Sequence, residues 1–407
     1  MRYIYKNSFA VLCIIMALCC FSACQKKNII PQNTNYNPNG GVTNGGGTDT
    51  SKADTLATFN QPTGLALDAA GNIYVADYGN NQIRKISTTG IVTTLAGNGI
   101  QGSVNAIDSL SSFNGPTGLV VDASGNVFVA DNNNNRIREI GTNGMVTTVA
   151  GSDSIGLVDG PGTASAFFNP TGLTLDPSGN IYVADAGNNL IRLISSSGNV
   201  STFAGNANAG ETNDVLLSSS FNNPTGVAID AGGNIYVADM LNNAIRKISG
   251  GKVSTLAGSD TTASIDGQGN KAAFYFPNSL AIDPSGNLYV TEYATNLIRK
   301  VDPSGNVTTF AGSGAQGQAD STGTKATFNG PSGVAVDKAG NVYIADTYNN
   351  VIRKITPAGV VSTIAGSGIA GAHNGKAASL RLRKIKALRP VVHVNNNLLY
   401  RVLVKRR

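Results

Sequence analysis

A repeat that occurs six times along the chain is the feature that most limits what this sequence can fold into. The proline that opens each unit falls at Pro62, Pro116, Pro170, Pro224, Pro277 and Pro331, with spacings of 54, 54, 54, 53 and 54 residues. The stretch "NIYVADYGNNQIRKIS" (72–87) returns in related form in every unit. A fixed period of this size indicates a repeat architecture, in which neighbouring units bury a shared core.

Each unit divides into four short runs typical of β-strands. In the first unit these are residues 64–68, 72–77, 82–87 and 91–97. In the second run, Ile73 and Val75 share one face and the alternate residues Tyr74 and Ala76 share the other. Because both faces are apolar, the sheet must be covered on both sides. We therefore predict an all-β fold: a six-bladed β-propeller of four-stranded antiparallel blades.

The motifs of the units resemble NHL repeats. A Pro-x-Gly start, an Asp-x-x-Gly-Asn turn, a Tyr-Val-Ala-Asp strand, an Asn-Asn loop and an Ile-Arg pair recur at fixed offsets over residues 56–367. The resemblance implies a six-bladed propeller, in agreement with the number of units. Some propellers of this general type are lyases that use histidines and a divalent metal near the channel, and some eukaryotic relatives bind RNA.

The first 55 residues have the organisation of an export signal followed by a linker. Arg2 and Lys6 precede the apolar run "SFAVLCIIMALCCF", which is short for a membrane span and suits a signal-peptide core. The run ends in "FSAC", which resembles the lipobox of bacterial lipoproteins and implies lipidation of Cys24. An ordinary signal peptide and an uncleaved anchor are the alternatives.

This organisation predicts a lipoprotein signal peptide over residues 1–23 and a flexible Asn/Gly/Thr-rich tether over residues 24–55. We expect the protein to be exported to the cell envelope and held by its lipid anchor at the outer membrane or the cell surface. We also expect a monomer.

The charge distribution argues against nucleic acid as a partner. The formal net charge is +6, but residues 376–407 contain ten Lys or Arg and no acidic residue. Residues 24–375 contain 18 basic and 24 acidic side chains. The repeat region is therefore mildly acidic, whereas RNA or DNA binding needs a basic face.

An acidic residue and an arginine recur seven positions apart in every unit. The pairs are Asp77 with Arg84, Asp131 with Arg138, Asp185 with Arg192, Asp239 with Arg246, Glu292 with Arg299 and Asp346 with Arg353. The spacing predicts an ion pair across the hairpin of the second and third strands. A ring of ligand-binding charges is the alternative, but a binding site seldom needs the same residue six times.

Function is expected where the units differ from one another. The loop after the second strand and the linkers between units are variable, and in an up-and-down blade both emerge on one face around the central channel. The candidate ligand-binding residues on this face are Tyr78, Asn132, Asn133, Tyr275, Tyr293 and Tyr348. The fifth unit departs most, and its Phe274, Tyr275, Phe276 and Tyr293 suggest an aromatic platform for a sugar or a partner side chain. Packing between blades is the alternative.

The repeat region offers little catalytic chemistry. Both histidines, His373 and His393, follow the sixth unit, and all four cysteines lie within the first 24 residues. The linker acids Asp153, Asp159 and Asp266 could hold calcium, but their spacing matches no EF-hand and solvated loop acids are the simpler interpretation.

We predict no catalytic residue, no metal site and no cofactor. The favoured function is a non-catalytic binding scaffold for a protein or a glycan, without nucleic acid. A metal-assisted lyase or hydrolase with its site at the central channel is the alternative.

The end of the chain does not continue the repeat. We place the end of the propeller at residue 367 and a basic tail at residues 368–407, where "NNNLLY" suggests a degraded seventh unit. A genuine basic tail and a strand that closes the ring are the alternatives.

Overall fold

The computed structural model describes residues 56–152 and 154–377, which form strands, turns and one-turn 3-10 helices. Within these residues no helix is long and apolar enough to cross a membrane. The expected signal peptide, the tether, Cys24 and the possible seventh unit lie outside the described residues.

The strands form six antiparallel sheets, one for each repeat unit, so the predicted six-bladed β-propeller is confirmed. Blade 1 contains β1 (Pro62–Leu67), β2 (Ile73–Asp77), β3 (Gln82–Ile86) and β4 (Ile91–Ala96), and blade 2 contains β5 (Pro116–Val121), β6 (Val127–Asp131), β7 (Arg136–Ile140) and β8 (Val146–Ala150). Blade 3 contains β9 (Gly160–Pro161), β10 (Pro170–Leu175), β11 (Ile181–Asp185), β12 (Leu190–Ile194) and β13 (Asn199–Ala204).

Blade 4 contains β14 (Pro224–Ile229), β15 (Ile235–Asp239), β16 (Ala244–Ser249) and β17 (Lys252–Gly258). Blade 5 contains β18 (Gly267–Gln268), β19 (Pro277–Ile282), β20 (Leu288–Glu292), β21 (Leu297–Val301) and β22 (Asn306–Ala311), and blade 6 contains β23 (Pro331–Val336), β24 (Val342–Asp346), β25 (Val351–Ile355) and β26 (Val361–Ala365). The last strand, β27 (Gly375–Lys376), joins blade 1.

One-turn 3-10 helices occupy several loops and linkers. They span Tyr78–Asn80, Asp108–Leu110, Asn132–Asn134, Gly162–Ala164, Ala186–Asn188, Leu216–Ser218, Met240–Asn242, Gly269–Lys271, Gly323–Lys325 and Thr347–Asn349. In five blades such a turn follows the second long strand, and blade 5 has an irregular turn there.

The core lies between neighbouring blades, as the two-sided apolar pattern requires. Ala66 and Tyr74 of blade 1 pack with Val127 and Val129 of blade 2, and Phe113 from the linker is fully buried among them. An equivalent cluster joins blade 6 to blade 1 and completes the ring. Burial of apolar surface at every joint between blades is the main favourable term for such a fold.

The innermost strands approach one another too closely for ordinary side chains. A Cβ atom added at Gly64 would lie 2.0 Å from the carbonyl oxygen of Thr117 in the next blade, which explains the Pro-x-Gly motif. The residue between the proline and the glycine closes the gap with a hydrogen bond: the Thr63 hydroxyl donates to the carbonyl oxygen of Pro116 at 3.1 Å. The strands around the channel are therefore joined by side chain to backbone hydrogen bonds.

Residues after the sixth blade complete the first one. Strand β27 pairs with β4, and the amide of Ala57 donates to the carbonyl oxygen of Lys376 at 2.9 Å. In blades 3 and 5 the short fifth strand comes instead from the linker that precedes the blade. The propeller thus extends ten residues beyond the expected boundary at 367, because the segment up to Ala377 serves as the preceding linker of blade 1.

Candidate functional site

The recurring acidic residue and arginine form a buried ion pair in each blade, and all twelve side chains have 0% exposure. Five of the six pairs have N–O distances of 2.7–2.9 Å, and Glu292 and Arg299 are also paired. These five pairs are Asp77 with Arg84, Asp131 with Arg138, Asp185 with Arg192, Asp239 with Arg246, and Asp346 with Arg353. The alternative of a ring of ligand-binding charges does not fit this burial.

Hydrogen bonds hold each acidic residue in place. In blade 1, Asp77 accepts from the amide of Asn60 at 2.7 Å and from the Asn80 side chain at 2.8 Å, in addition to its bond with Arg84. Burial raises the pKa of the Asp77 carboxyl to about 6, against the opposing effect of Arg84. The carboxylate is therefore committed to contacts inside its own blade.

Each of these arginines also holds the linker that precedes its blade. Arg84 lies over the ring of Phe59, 5.5 Å from its centroid, and its Nη2 donates to the carbonyl oxygen of His373 and to Asn374 Oδ1.

In three blades an aspartate of the linker takes the place that Asn374 has in blade 1 and pairs with the arginine. Two of these aspartates are residues that the sequence suggested as calcium ligands: Asp159 pairs with Arg192 at 2.6 Å, and Asp266 pairs with Arg299 at 2.7 Å. In blade 6, Arg353 pairs with Asp320 at 2.9 Å, whereas in blade 4 Arg246 donates to Asn213 Oδ1 at 2.7 Å. The arginines therefore support the loops from inside and present no charge to a ligand.

The loops after the second long strand of each blade and the linkers between blades meet on one face. Asn80 Nδ2 donates to the carbonyl oxygen of Gly371 in the linker at 2.7 Å, and Asn81 Oδ1 accepts from the amide of Gly115 at 2.9 Å. In five blades, asparagine side chains tie the loop to the linker of its own blade, and blade 5 has Thr295 in this position. We call this the loop face.

Four residues of each blade lie at the loop-face end of its two innermost long strands, and we call these 24 residues the mouth ring. They are Asn60, Gln61, Tyr78 and Gly79; Asn114, Gly115, Asn132 and Asn133; Phe168, Asn169, Ala186 and Gly187; Asn222, Asn223, Met240 and Leu241; Tyr275, Phe276, Tyr293 and Ala294; and Asn329, Gly330, Thr347 and Tyr348. None of them is Asp, Glu, Lys, Arg or His. The ring is therefore built from neutral amides, hydroxyls, small residues and aromatic rings.

The structure brings the expected ligand-binding residues together in pairs across blade boundaries. The rings of Tyr293 and Tyr348 lie 5.6 Å apart between centroids, their hydroxyls are hydrogen-bonded, and 40% of Tyr348 is exposed. Tyr78 and Asn133 meet in the same way over Gly115, where an added Cβ would lie 2.8 Å from the Tyr78 ring. At these two joints, side chains from the loops of neighbouring blades therefore lie close to the residue before the opening proline.

Two expected contributors to the site are buried instead. Asn132 is only 8% exposed, and its Nδ2 donates to the carbonyl oxygen of Pro170 at 2.9 Å, so this side chain joins blade 2 to blade 3. Phe274 has 0% exposure and lies under Arg299 at 5.4 Å, which makes it the core phenylalanine of blade 5. Phe274 is therefore not part of an aromatic platform, and the alternative of packing between blades is correct for this residue.

The remaining aromatic pair of blade 5, Tyr275 and Phe276, is partly exposed, with ring centroids 4.6 Å apart. The residue before the opening proline has a positive φ in all six blades, and Phe276 has a φ of 55°. Its counterparts are Gln61, Gly115, Asn169, Asn223 and Gly330. Glycine and asparagine tolerate this left-handed conformation, whereas a bulky phenylalanine is strained there.

The backbone of blade 5 is also less constrained at this point. In blade 1, Asn60 donates its amide to Asp77, and its carbonyl oxygen accepts from the amide of Gly79 at 2.8 Å. Blades 2, 3, 4 and 6 form the same two hydrogen bonds. Among the described residues, Tyr275 forms neither. Glu292 replaces the aspartate, and its longer side chain accepts hydrogen bonds from Ser264 and Thr295 instead.

Sequence reasoning missed Phe168 of the mouth ring, which stands two residues before Pro170, as Tyr275 does before Pro277. Met240 belongs to the variable loop where function was expected but was not chosen as a candidate ligand-binding residue. The offset from each opening proline, compared across all six units, identifies Phe168. In the described residues, no group of three or more His, Cys, Asp or Glu is placed to hold a metal ion.

These features define a class: a six-bladed propeller whose repeated residues are buried and whose variable residues surround the mouth of its channel. The family model described as "NHL repeat" matches residues 59–86, 113–140, 167–192, 221–248 and 328–355. Five of the six repeat units therefore match the NHL repeat, within a propeller of six blades. The matched residues omit the fifth unit, which forms a complete blade but carries the sequence departures described above.

Known proteins share this architecture at low identity. The chain is 29% identical over 334 residues to NHL repeat-containing protein 2 of Bos taurus, covering 72% of this chain and 46% of that protein. A solved structure of a Bacteroides thetaiotaomicron protein of unknown function has a TM-score of 0.58 at 20% identity, covering 77% of this chain and 74% of the other.

An auxiliary nutrient-binding protein of the same bacterium has a TM-score of 0.56 at 16% identity, covering 75% of this chain and 70% of the other. Both structural likenesses show the fold alone. The chain spans less than half the length of the cattle relative.

Proposed function

We propose that this protein is a non-catalytic binding scaffold that takes a protein or glycan ligand on its loop face. The observation that carries the proposal is the separation of repeated from variable residues. The repeated ion pairs are buried and bonded within the blades, whereas the variable mouth ring is partly exposed at the channel opening. Loops presented by a rigid scaffold are a common location for binding residues.

The opposite face supports this choice by contrast. Its cavity of about 560 Å³ is lined by turns of blades 4, 5 and 6, in which Asp230, Asp283 and Asp337 recur at one repeat position. Their carboxylates accept hydrogen bonds from their own turns, as in Asp230 with the amide of Asn234 at 2.8 Å. This face is therefore specified by turn formation.

Two matched variants test which face binds. The full-length protein, a loop-face variant (Tyr293→Ala with Tyr348→Ala) and an opposite-face control (Ser285→Ala with Lys338→Ala) are applied to purified polysaccharides and to a phage-displayed peptide library. We expect wild type and control to be retained by the same members, and the loop-face variant to lose retention. Retention that survives the loop-face changes and disappears in the control contradicts the proposal.

We further propose that the scaffold is a monomer exported and anchored through a lipid on Cys24, with residues 24–55 as its tether. The supporting observations are the apolar run and the "FSAC" sequence. Incorporation of a labelled fatty acid into the wild type, and its absence in Cys24→Ser, is the expected result. Equal labelling of both proteins contradicts lipidation at Cys24.

A further inference from the structure

We infer that the ligand of the loop face is a neutral carbohydrate that stacks on Tyr275 and Phe276 of blade 5. The inference rests on the proposed function and adds the ligand class and the subsite. Three independent observations carry it: the charge of the mouth ring, its combination of amide and aromatic side chains, and the backbone of blade 5.

The first observation is that the mouth ring has no ionisable acid or base. Charged residues make up 13% of the chain and occur in every blade, yet none of the 24 positions of the ring has one. Proteins recognise carboxylates, phosphates and sulfates through Arg and Lys, and recognise cationic ligands through carboxylates. A ring without either favours an uncharged ligand.

The second observation is that amides accompany the aromatic rings. Within the described residues, the side chains of Gln61 and Asn169 form no hydrogen bond, and Asn169 is exposed. Aromatic faces supply rigid apolar contact area, and a few placed polar groups fix orientation. A sugar ring matches both, because its C–H face is apolar and its hydroxyls donate and accept hydrogen bonds around the edge.

The aromatic residues also concentrate on adjacent blades. Tyr275 and Phe276 belong to blade 5, and the hydrogen-bonded pair Tyr293 and Tyr348 spans blades 5 and 6. Four of the six aromatic residues of the mouth ring therefore lie on blades 5 and 6, and the other two, Tyr78 and Phe168, lie on blades 1 and 3.

The third observation is the backbone of blade 5. Phe276 occupies a left-handed conformation that costs free energy for a bulky residue, where two of the other blades have glycine and two have asparagine. The two hydrogen bonds that fix the preceding residue in five blades are not formed at Tyr275 within the described residues. Strain combined with local freedom indicates that these two rings serve a ligand and not the stability of the blade.

The test uses the full-length protein and the variant Phe276→Asn, with the opposite-face variant (Ser285→Ala with Lys338→Ala) as the control. The control changes two side chains that line the cavity of the opposite face and belong to no part of the mouth ring. The probes are neutral polysaccharides (a β-glucan, a mannan, a xylan and a galactan) and the acidic polygalacturonate. Isothermal titration calorimetry measures the affinity of each protein for each probe.

We expect at least one neutral polysaccharide to bind, and Phe276→Asn to weaken that binding by about tenfold, which is the loss of one stacking contact. The opposite-face control should bind within about twofold of the wild type, well below the tenfold change that 1.4 kcal/mol produces. Because asparagine tolerates the left-handed conformation, Phe276→Asn should unfold at the same or a higher temperature, which separates lost binding from lost folding.

Failure of the inference is distinguishable from failure of the proposed function. If no neutral polysaccharide binds, or if Phe276→Asn binds as the wild type does, the inference is overturned. Binding of polygalacturonate or library peptides alone, lost in the variant with Tyr293→Ala and Tyr348→Ala, also overturns it but retains a binding scaffold on the loop face. Binding of no probe at all overturns both.

Discussion

At the scale of single residues, the propeller depends on six buried guanidinium groups. They belong to Arg84, Arg138, Arg192, Arg246, Arg299 and Arg353. Each lies over a phenylalanine ring at 5.0–5.5 Å and donates from both Nη atoms, whereas none of the six Nε atoms has a hydrogen-bond partner among the described residues. A fully buried charge is tolerated only where a counter-charge and hydrogen bonds compensate its desolvation. The acidic partner is that counter-charge. Its removal should destabilise the protein by far more than the loss of a surface ion pair does.

The substitution Asp77→Asn should therefore lower the free energy of unfolding by about 3–5 kcal/mol, because it leaves the charge of Arg84 uncompensated in the interior. Denaturant titration of wild type and variant measures the difference. Asp122→Asn, in an exposed turn where the carboxylate accepts a hydrogen bond from the amide of Ser124, is the control and should cost about 1 kcal/mol. Equal decreases in the free energy of unfolding of the two variants would show that the buried ion pair contributes no more to stability than a turn hydrogen bond does.

The sequence identified these pairs but not every role around them. A spacing of seven residues across a hairpin is enough to predict Asp77 and Arg84, because both belong to one blade. Asn132 could not be placed from its own unit, since its partner is a carbonyl oxygen in blade 3. Tyr275 lacks the two backbone hydrogen bonds of its counterparts where Glu292 replaces the aspartate. No sequence pattern predicts this effect of a longer acidic side chain on the backbone.

At the scale of elements, the turn between the first two long strands of each blade is built around one aspartate. Asp68 accepts hydrogen bonds from the amides of Ala70 and Asn72 at 3.0 and 2.9 Å and from the Asn72 side chain at 2.7 Å. Although partial burial opposes it, these hydrogen bonds lower the pKa of Asp68 below the ordinary 3.8. The turn was predicted because Asp and Gly at these positions are a local signal.

A lowered pKa in the folded state means that Asp68 contributes stability above its unfolded pKa, and this contribution is lost as the pH falls through the folded value. The variant Asp68→Asn should therefore be less stable than wild type at pH 7, by about 1 kcal/mol. The difference should disappear near pH 2, where the wild-type carboxyl is also neutral. Denaturant unfolding at both pH values measures it, and a difference that persists in acid would contradict the assignment.

The first strand of each blade is longer than its apolar pattern predicts. The pattern begins at residue 64, whereas β1 begins at Pro62, which pairs with Asp77 beyond an irregularity in register. The interruption coincides with Thr63, whose hydroxyl reaches the next blade. The sequence of one unit does not reveal which residues contact the next unit, and this explains why Pro62 and Thr63 were left out of the predicted strand.

Blade 5 replaces this contact with an alternative one. Asn278 and Ser279 stand where blades 1 to 4 have threonine and glycine, and the hydroxyl of Thr291 on β20 donates instead to the carbonyl oxygen of Ser332 at 2.6 Å. Thr291→Ala should cost about 1–2 kcal/mol by leaving that buried carbonyl without its donor. Adding Asn278→Thr should recover most of the loss by restoring the arrangement of the other blades. Thermal and denaturant unfolding of the single and double variants check this, and additive losses would exclude the exchange.

At the scale of the whole molecule, the ring is closed by hydrogen bonds between its two ends. Thr58 donates its amide to the carbonyl oxygen of His373 at 3.1 Å, and Gly371 donates to the carbonyl oxygen of Phe59 at 3.0 Å. A core cluster of apolar side chains from blades 6 and 1 lies beside this closure. The number of blades was predictable from six proline spacings, and a strand that closes the ring was one alternative for the tail. The place of that strand at Gly375–Lys376 was not predictable, because this segment contains only part of a repeat unit.

A chain that ends after residue 367 should lose about 3–6 kcal/mol of stability, because Arg84 would lose the two acceptors on residues 373 and 374 and a hydrogen bond to a charged group contributes about 1.5–3 kcal/mol. A chain that ends after residue 377 retains the closing segment and should match the full-length protein. Thermal unfolding and limited proteolysis of the three chains make the comparison. Equal melting temperatures for both truncated chains would show that closure relies on the apolar cluster alone.

The closure has a consequence for how such a ring can change over evolutionary time. Arg84 contacts residues 373 and 374 in the same way that Arg138 contacts Val104 and Asn105, so the joint where the ends meet is chemically equivalent to a joint within the continuous chain. A ring of equivalent joints has no obligatory first blade. Circular permutation, or the exchange of one whole unit for another, can therefore move a specialised blade such as the fifth to a new place along the gene without any new contact between blades having to arise.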